Sequence, residues 1–200
     1  EHPENAEYYG YPFGIQVEER ILTWGAGDLD DVVIINYDLI NYSDDTLRDC
    51  WISSVNDPDL ATKEKWRKGA INDFLKFYDK NDEQFIYVWT DTTEGEKDRN
   101  FGYLGISLLY TPAVYDDGYV KRVIHKNSLQ EQLGIKNIFG LSVKEDIVWD
   151  EYDYDKFTGE KIQLLPDTVS GELFIHIGTG PFHMLPGDTA SFAVMYNFSL

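Results

Sequence analysis

Cysteine is nearly absent from this chain of 200 residues, with Cys50 as its single example. That excludes an intrachain disulfide, a cysteine-based zinc finger and a covalent haem motif. Basic residues are also scarce: 17 Lys and Arg stand against 36 Asp and Glu, for a formal charge of −19. So acidic a chain repels phosphate backbones and anionic lipid surfaces, and no nucleic-acid partner is expected. No apolar run approaches the roughly 18 residues of a membrane-spanning helix, so no membrane span is expected either. No signal peptide is visible: the opening Glu1-His2-Pro3-Glu4 reads as a mature end or a boundary within a longer parent chain.

Catalytic signatures are missing as well. His2, His125, His176 and His183 are scattered, without the close spacing of a histidine zinc site. His176 alternates with apolar neighbours and is expected on the more exposed face of a strand. There is no G-x-S-x-G nucleophile elbow. Gly178-Thr179-Gly180-Pro181 lacks the Lys-Ser/Thr of a phosphate loop and reads as a turn. Glycoside hydrolysis needs a pair of carboxylates, but 36 acids make any one pair uninformative. The balance leans away from an enzyme.

What the chain does contain is apolar and aromatic material, 42% and 15% of residues, too much for a disordered segment. The first 14 residues are polar and tyrosine-rich and read as an irregular lead-in to one domain over residues 15–200. Residues 15–24, 32–41 and 47–55 are strand-like, joined by the polar turns Gly25-Ala26-Gly27-Asp28 and Ser43-Asp44-Asp45. They predict an antiparallel meander. Further strands are predicted at 84–90, 101–110, 136–143, 173–177 and 190–200. Between 60 and 79 the period changes: Trp66, Ala70, Ile71, Phe74, Leu75 and Tyr78 fall on one helical face, with Asp59 as cap. The expected fold is mainly β, an antiparallel β-sandwich with one helical insertion at about residues 60–79.

Two polar constellations invite a cation. Asp57-Pro58-Asp59 follows a strand, and Asp91 with Asp98-Arg99-Asn100 follows another. Calcium takes about 6–8 oxygen ligands, which loop carboxylates, amides and carbonyls provide. The plainer reading makes Pro58 a strand terminator and Asp59 a helix cap. Asp153-Tyr154-Asp155 with Gly159 fails the calcium-loop spacing, because Phe157 holds an acidic position. Trp24, Trp89 and Trp149 could stack on sugars, or could plug a sandwich core. Cys50 reads as a small buried hydrophobe beside Trp51. Asn41-Tyr42-Ser43 and Asn197-Phe198-Ser199 have the form of glycosylation sequons.

The ordered phrases Asp30-Asp31-Val32-Val33-Ile34-Ile35-Asn36-Tyr37-Asp38-Leu39-Ile40-Asn41-Tyr42-Ser43, Asp45-Thr46-Leu47-Arg48-Asp49 and Asn56-Asp57-Pro58-Asp59-Leu60 resemble a recurring segment of large exported bacterial proteins. Many of those proteins carry a type IX secretion sorting domain at the C-terminus. Asn100-Phe101-Gly102-Tyr103, Gly178-Thr179-Gly180-Pro181-Phe182 and Leu185-Pro186-Gly187-Asp188-Thr189 continue the resemblance in order. The helical stretch and the lack of a sorting domain depart from it. The resemblance implies a secreted or cell-surface β module and strengthens a calcium site drawn from Asp57, Asp59, Asp91, Asp98 and Asn100. The physics of two phrases is plain: residues 41–46 form an Asx-type turn, and Leu185–Thr189 presets a type II turn.

Three functions follow as expectations: a non-enzymatic structural or adhesive module, a carbohydrate-binding module, and a carboxylate or cation-assisted hydrolase. Partners would be carbohydrate, other surface proteins or the rest of a larger chain.

Overall fold

The computed structural model describes residues 14–58, 73–80, 83–90, 102–116, 121–124, 132–142, 161–163 and 173–199. Among these residues the regular structure is entirely strand. In chain order the strands are β1 (Ile15–Thr23), β2 (Val32–Asn41), β3 (Leu47–Asn56), β4 (Asp73–Lys80), β5 (Glu83–Thr90) and β6 (Tyr103–Tyr110). They continue with β7 (Val114–Asp116), β8 (Lys121–Val123), β9 (Asn137–Ser142), β10 (Lys161–Gln163), β11 (Leu173–Met184) and β12 (Thr189–Ser199). One sheet has the order β1-β2-β12-β6-β5-β4; the other runs β10-β9-β11-β8-β7, with β3 on the opposite edge of β11.

The two sheets face each other through alternate side chains. Leu75, Ile86, Val88, Leu104, Ile106, Phe192 and Val194 of the first meet Ile138, Ile175 and Ile177 of the second. A second cluster gathers Phe182 and Met184 of β11 with Val114, Val123, Leu133 and Ala190. Burying each large apolar side chain contributes about 1.5–3 kcal/mol. Both clusters draw on both sheets, which is the sandwich-like arrangement that the strand pattern predicted.

The expected helix over 60–79 is corrected where it can be seen. Asp73–Lys80 is strand β4, paired antiparallel with β5 from Asp73↔Thr90 to Lys80↔Glu83. Residues 59–72 lie outside the described set. Phe74, Leu75 and Tyr78 imitate a helical stripe because this strand is apolar on both faces. Leu75 is buried in the core and Phe77 packs against it, while Phe74 and Tyr78 point the other way onto aromatic rings. Two-sided apolarity erases the alternation that would reveal a strand.

The three-strand meander is corrected too. β1 and β2 pair as expected, but β3 leaves for the second sheet and pairs β11. Val17 and Ile21 of edge strand β1 are consequently exposed, while Ile15 reaches the second core cluster. Gly178-Thr179-Gly180-Pro181 is not a turn but the middle of β11. There the register against β3 slips from Thr179↔Ile52 to Phe182↔Cys50, leaving one extra residue on β11. Such a bulge accommodates a proline that cannot donate to the ladder.

Both turn readings hold. Asp188 N–H donates to the Leu185 carbonyl at 2.9 Å, and Gly187 has φ +80°, as the third position of a type II turn requires. Asn41 is fully buried; its Nδ2 donates to the Asp45 carbonyl at 2.8 Å and the Met184 carbonyl at 3.1 Å. Its Oδ1 accepts from Ser43 N–H and Oγ. The backbone closes the unit: Asn41 N–H donates to the Asp188 carbonyl, and Gly187 N–H to the Asn41 carbonyl. The two phrases therefore form one hydrogen-bonded unit, and Asn41 is inaccessible to glycosylation while folded. Asn41→Ala is expected to lower stability by about 2–3 kcal/mol, because buried partners lose their bonds without water to replace them. Urea unfolding midpoints would measure the loss.

Three weak acids are held neutral by the fold. Burial, then the Asp49 charge, raises the Cys50 thiol. Burial, then Glu19, raises the Tyr37 phenol, and burial, then Asp38, raises that of Tyr110. The unfolded chain releases these protons first, so it binds fewer protons than the native state in alkaline solution. Their contribution is full below the ordinary thiol and phenol values and lost as pH climbs through the raised ones. Stability should fall above about pH 9. A urea midpoint unchanged between neutral and strongly alkaline buffer would contradict this.

Candidate functional site

The first sheet carries a core on one face and an aromatic ladder on the other. Ile86 and Val88 are fully buried toward the second sheet, so alternation turns Phe85, Tyr87 and Trp89 outward. The β4–β5 register brings Phe74 opposite Trp89 and Tyr78 opposite Phe85. Phe74 and Trp89 stack with centroids 5.6 Å apart and planes 15° from parallel; Tyr78 and Phe85 stack at 4.8 Å. Tyr87 stacks on Trp89 at 5.4 Å, and Tyr103 of β6 meets Tyr87 edge-on at 6.3 Å. Each contact is worth about 0.5–1.5 kcal/mol and fixes the rings in place.

Beside the ladder runs a trough of about 620 Å³, within the range of small-ligand clefts. Phe85 and Tyr87 of β5, with the half-exposed Tyr103 against Tyr87, line one side; Met195 and Asn197 of β12 line the other, and Leu109 of β6 is also in the lining. Gly105 and Ser107 lie between them. Gly105 is registered opposite both Tyr87 and Asn197, so the missing side chain there deepens the trough. The described lining has no charged residue, in a chain of net charge −19. An aromatic wall with an amide, a hydroxyl and no charge suits an uncharged, hydroxyl-bearing ligand whose C–H faces lie against rings.

Further along the same outer face is a polar cleft of about 410 Å³, lined by Arg20, Asn36, Tyr110, Thr111, Gln132 and Ser191 among others. Asp38, buried beneath it, accepts from the Arg20 guanidinium and the Ser191 hydroxyl. The Tyr110 hydroxyl donates to Asn36 Oδ1 at 3.0 Å.

The candidate calcium ligands are only partly placed. Asp57 is exposed, immediately after β3, whereas Asp59, Asp91, Asp98 and Asn100 lie outside the described residues. The two strands run toward the same end of the sheets. The Tyr196 hydroxyl donates to Asn56 Oδ1 at 2.6 Å, and Tyr196 sits opposite Ile106, which pairs Ile86 of β5. The end of β3 and the end of β5 at Thr90 thus share one end of the two-sheet stack. Among the described residues no three His, Cys, Asp or Glu side chains cluster as metal ligands.

His176 does face away from Ile175 and Ile177, but it is buried rather than exposed. Trp89 lies on the outer ladder instead of plugging the core, and Trp24 is exposed. Trp149 and the segment 149–157 lie outside the described residues. Cys50, expected to be buried, is only half-buried, though it packs against the second core cluster. The sequence places Phe74 and Tyr78 on a helical face and Tyr103 in a recurring phrase, but marks none of Phe74, Tyr78, Phe85, Tyr87 and Tyr103 as a ligand contact. The signal existed: Phe85, Tyr87 and Trp89 recur with period two, next to Ile86 and Val88. No protein-family model matches the chain, and no curated protein is similar enough in sequence to align with it.

Proposed function

We propose that this protein is a non-catalytic glycan-binding module that holds an uncharged polysaccharide in the aromatic trough. The observation that carries this reading is the Phe85–Tyr87–Tyr103 wall beside a hydrogen-bonding cleft of about 620 Å³ whose described lining is uncharged. Pyranose rings expose C–H groups on their faces and hydroxyls at their edges, which matches a wall of aromatic rings with Ser107, Asn197 and Gln84 alongside. The acidic surface disfavours polyanionic glycans by repulsion over about a Debye length. A secreted or cell-surface setting, as the resemblance to exported bacterial β modules implies, is where such a module would serve adhesion. The test is retention of the purified chain on insoluble cellulose, chitin, xylan and mannan, read by depletion and by tryptophan fluorescence. Retention on none of them would reject the reading.

The calcium reading remains part of the proposal, supported by the shared end of β3 and β5. A native-state ligand at a hundredfold excess over Kd adds about 2.7 kcal/mol of stability. Thermal melts in EDTA and in calcium chloride should then differ by several degrees. The difference should vanish in Asp57→Asn; identical melts would reduce the acidic turns to caps.

A further inference from the structure

The polar cleft has the layout of a binding site in its own right. Two amides line it, each anchored through its oxygen. Asn36 Oδ1 accepts from the Tyr110 hydroxyl at 3.0 Å, and Gln132 Oε1 accepts from the Thr111 backbone N–H at 3.2 Å. Anchoring in this sense leaves both amide NH₂ groups for a ligand and holds them in place beforehand, which lowers the ordering cost of binding. Thr111 Oγ1 accepts from Gly134 N–H at 2.8 Å, so its own hydroxyl proton is likewise left to donate. Among the described residues of the lining the one cation is Arg20, ion-paired with Asp38, whose other oxygen accepts from Ser191. The described lining therefore offers neutral donors, with its cation and its carboxylate paired to each other.

Its position matters as much as its chemistry. Ser191 of the cleft and Asn197 of the trough lie on the same strand, β12, and on the same face of it. Six residues of strand separate them by about 20 Å. Tyr110 of the cleft and Leu109 of the trough are adjacent at the end of β6, where the register against β12 shifts by one residue at Ala193. The two depressions thus follow each other along one sheet face.

We propose that this cleft is a second subsite for the same uncharged glycan, reading hydroxyl groups of sugar units beyond those stacked in the trough, so that the face selects chains over short fragments. The inference rests on the glycan reading of the trough and goes beyond it in assigning chain-length selectivity to Asn36 and Gln132. Two neutral hydrogen bonds of ordinary strength correspond to about a tenfold gain in affinity.

The test is calorimetric binding of di- and hexasaccharides from the cello, laminari, xylo, manno and chito series. The native chain should bind a hexasaccharide at least about tenfold more tightly than the matching disaccharide. Asn36→Ala and Gln132→Ala should remove that gain and leave disaccharide affinity unchanged. Gln132 is exposed, so its variant tests the idea even where loss of the Tyr110 partner disturbs Asn36→Ala. Unchanged hexasaccharide affinity in Gln132→Ala would overturn the second subsite and leave the trough standing. Failure of the native chain to bind any of the sugars would overturn both.

Discussion

Gly180→Ala should destabilise the protein by at least about 3 kcal/mol, enough to lower the melting temperature by roughly 6–12 °C in a chain of this size. Two independent effects combine. The backbone at Gly180 has φ +151°, a region that side-chain-bearing residues rarely adopt. A methyl group there would also sit 2.8 Å from the Cys50 carbonyl oxygen and 2.7 Å from Cδ2 of Trp51. Neither neighbour can retreat cheaply, because β3 is pinned to β11 on both sides of the bulge, at Ile52 and at Cys50. Gly187→Ala is the control: its φ is +80°, but nothing lies within 4 Å of the added carbon. It should cost only backbone strain, about 1 kcal/mol. Equal losses in the two variants, measured by urea unfolding, would show that the close approach of β3 contributes nothing.

Tyr87→Ala should weaken polysaccharide retention at least about thirtyfold, the loss expected when a central aromatic anchor is truncated. Tyr87 touches Phe85, Trp89 and Tyr103, so its removal loosens the wall as well as deleting a ring. Tyr87→Phe keeps the stacking and should lose less than about tenfold. A purely structural ladder would also melt earlier after Tyr87→Ala, so that variant alone does not separate ligand binding from sheet stabilisation. Gly105→Leu does. A carbon added at Gly105 meets its nearest neighbour, Asn197 Cβ, at 3.6 Å, an ordinary contact. The fold should tolerate leucine there while its side chain fills the trough. Retention undiminished in Gly105→Leu, with an unchanged melt, would remove the ligand from this trough and leave the ladder a sheet-stabilising device.

Where one face of a strand is buried and the other wet, or a turn carries its own chemistry, the residues announce the structure. The boundaries of β2 and the start of β3 are legible instead from β-branched and apolar runs set between polar turns. So are the Asn41–Ser43 Asx turn and the type II turn at Leu185–Asp188, since side chains within a few residues satisfy the backbone. Acidity and the lone cysteine narrow the chemistry whatever the fold. Pairing partners were not legible, because periodicity reports faces and not neighbours. That β3 belongs to the second sheet depends on β11, more than a hundred residues away in the chain, and on a bulge that takes in the extra residue. β4 imitated a helix because its outer face is apolar, and that face becomes intelligible only once β5 and β6 lie beside it. The trough has the same origin. Phe85, Gly105 and Asn197 share no signal where they stand in the chain, and only the lateral order of β5, β6 and β12 sets a ring, a gap and an amide side by side.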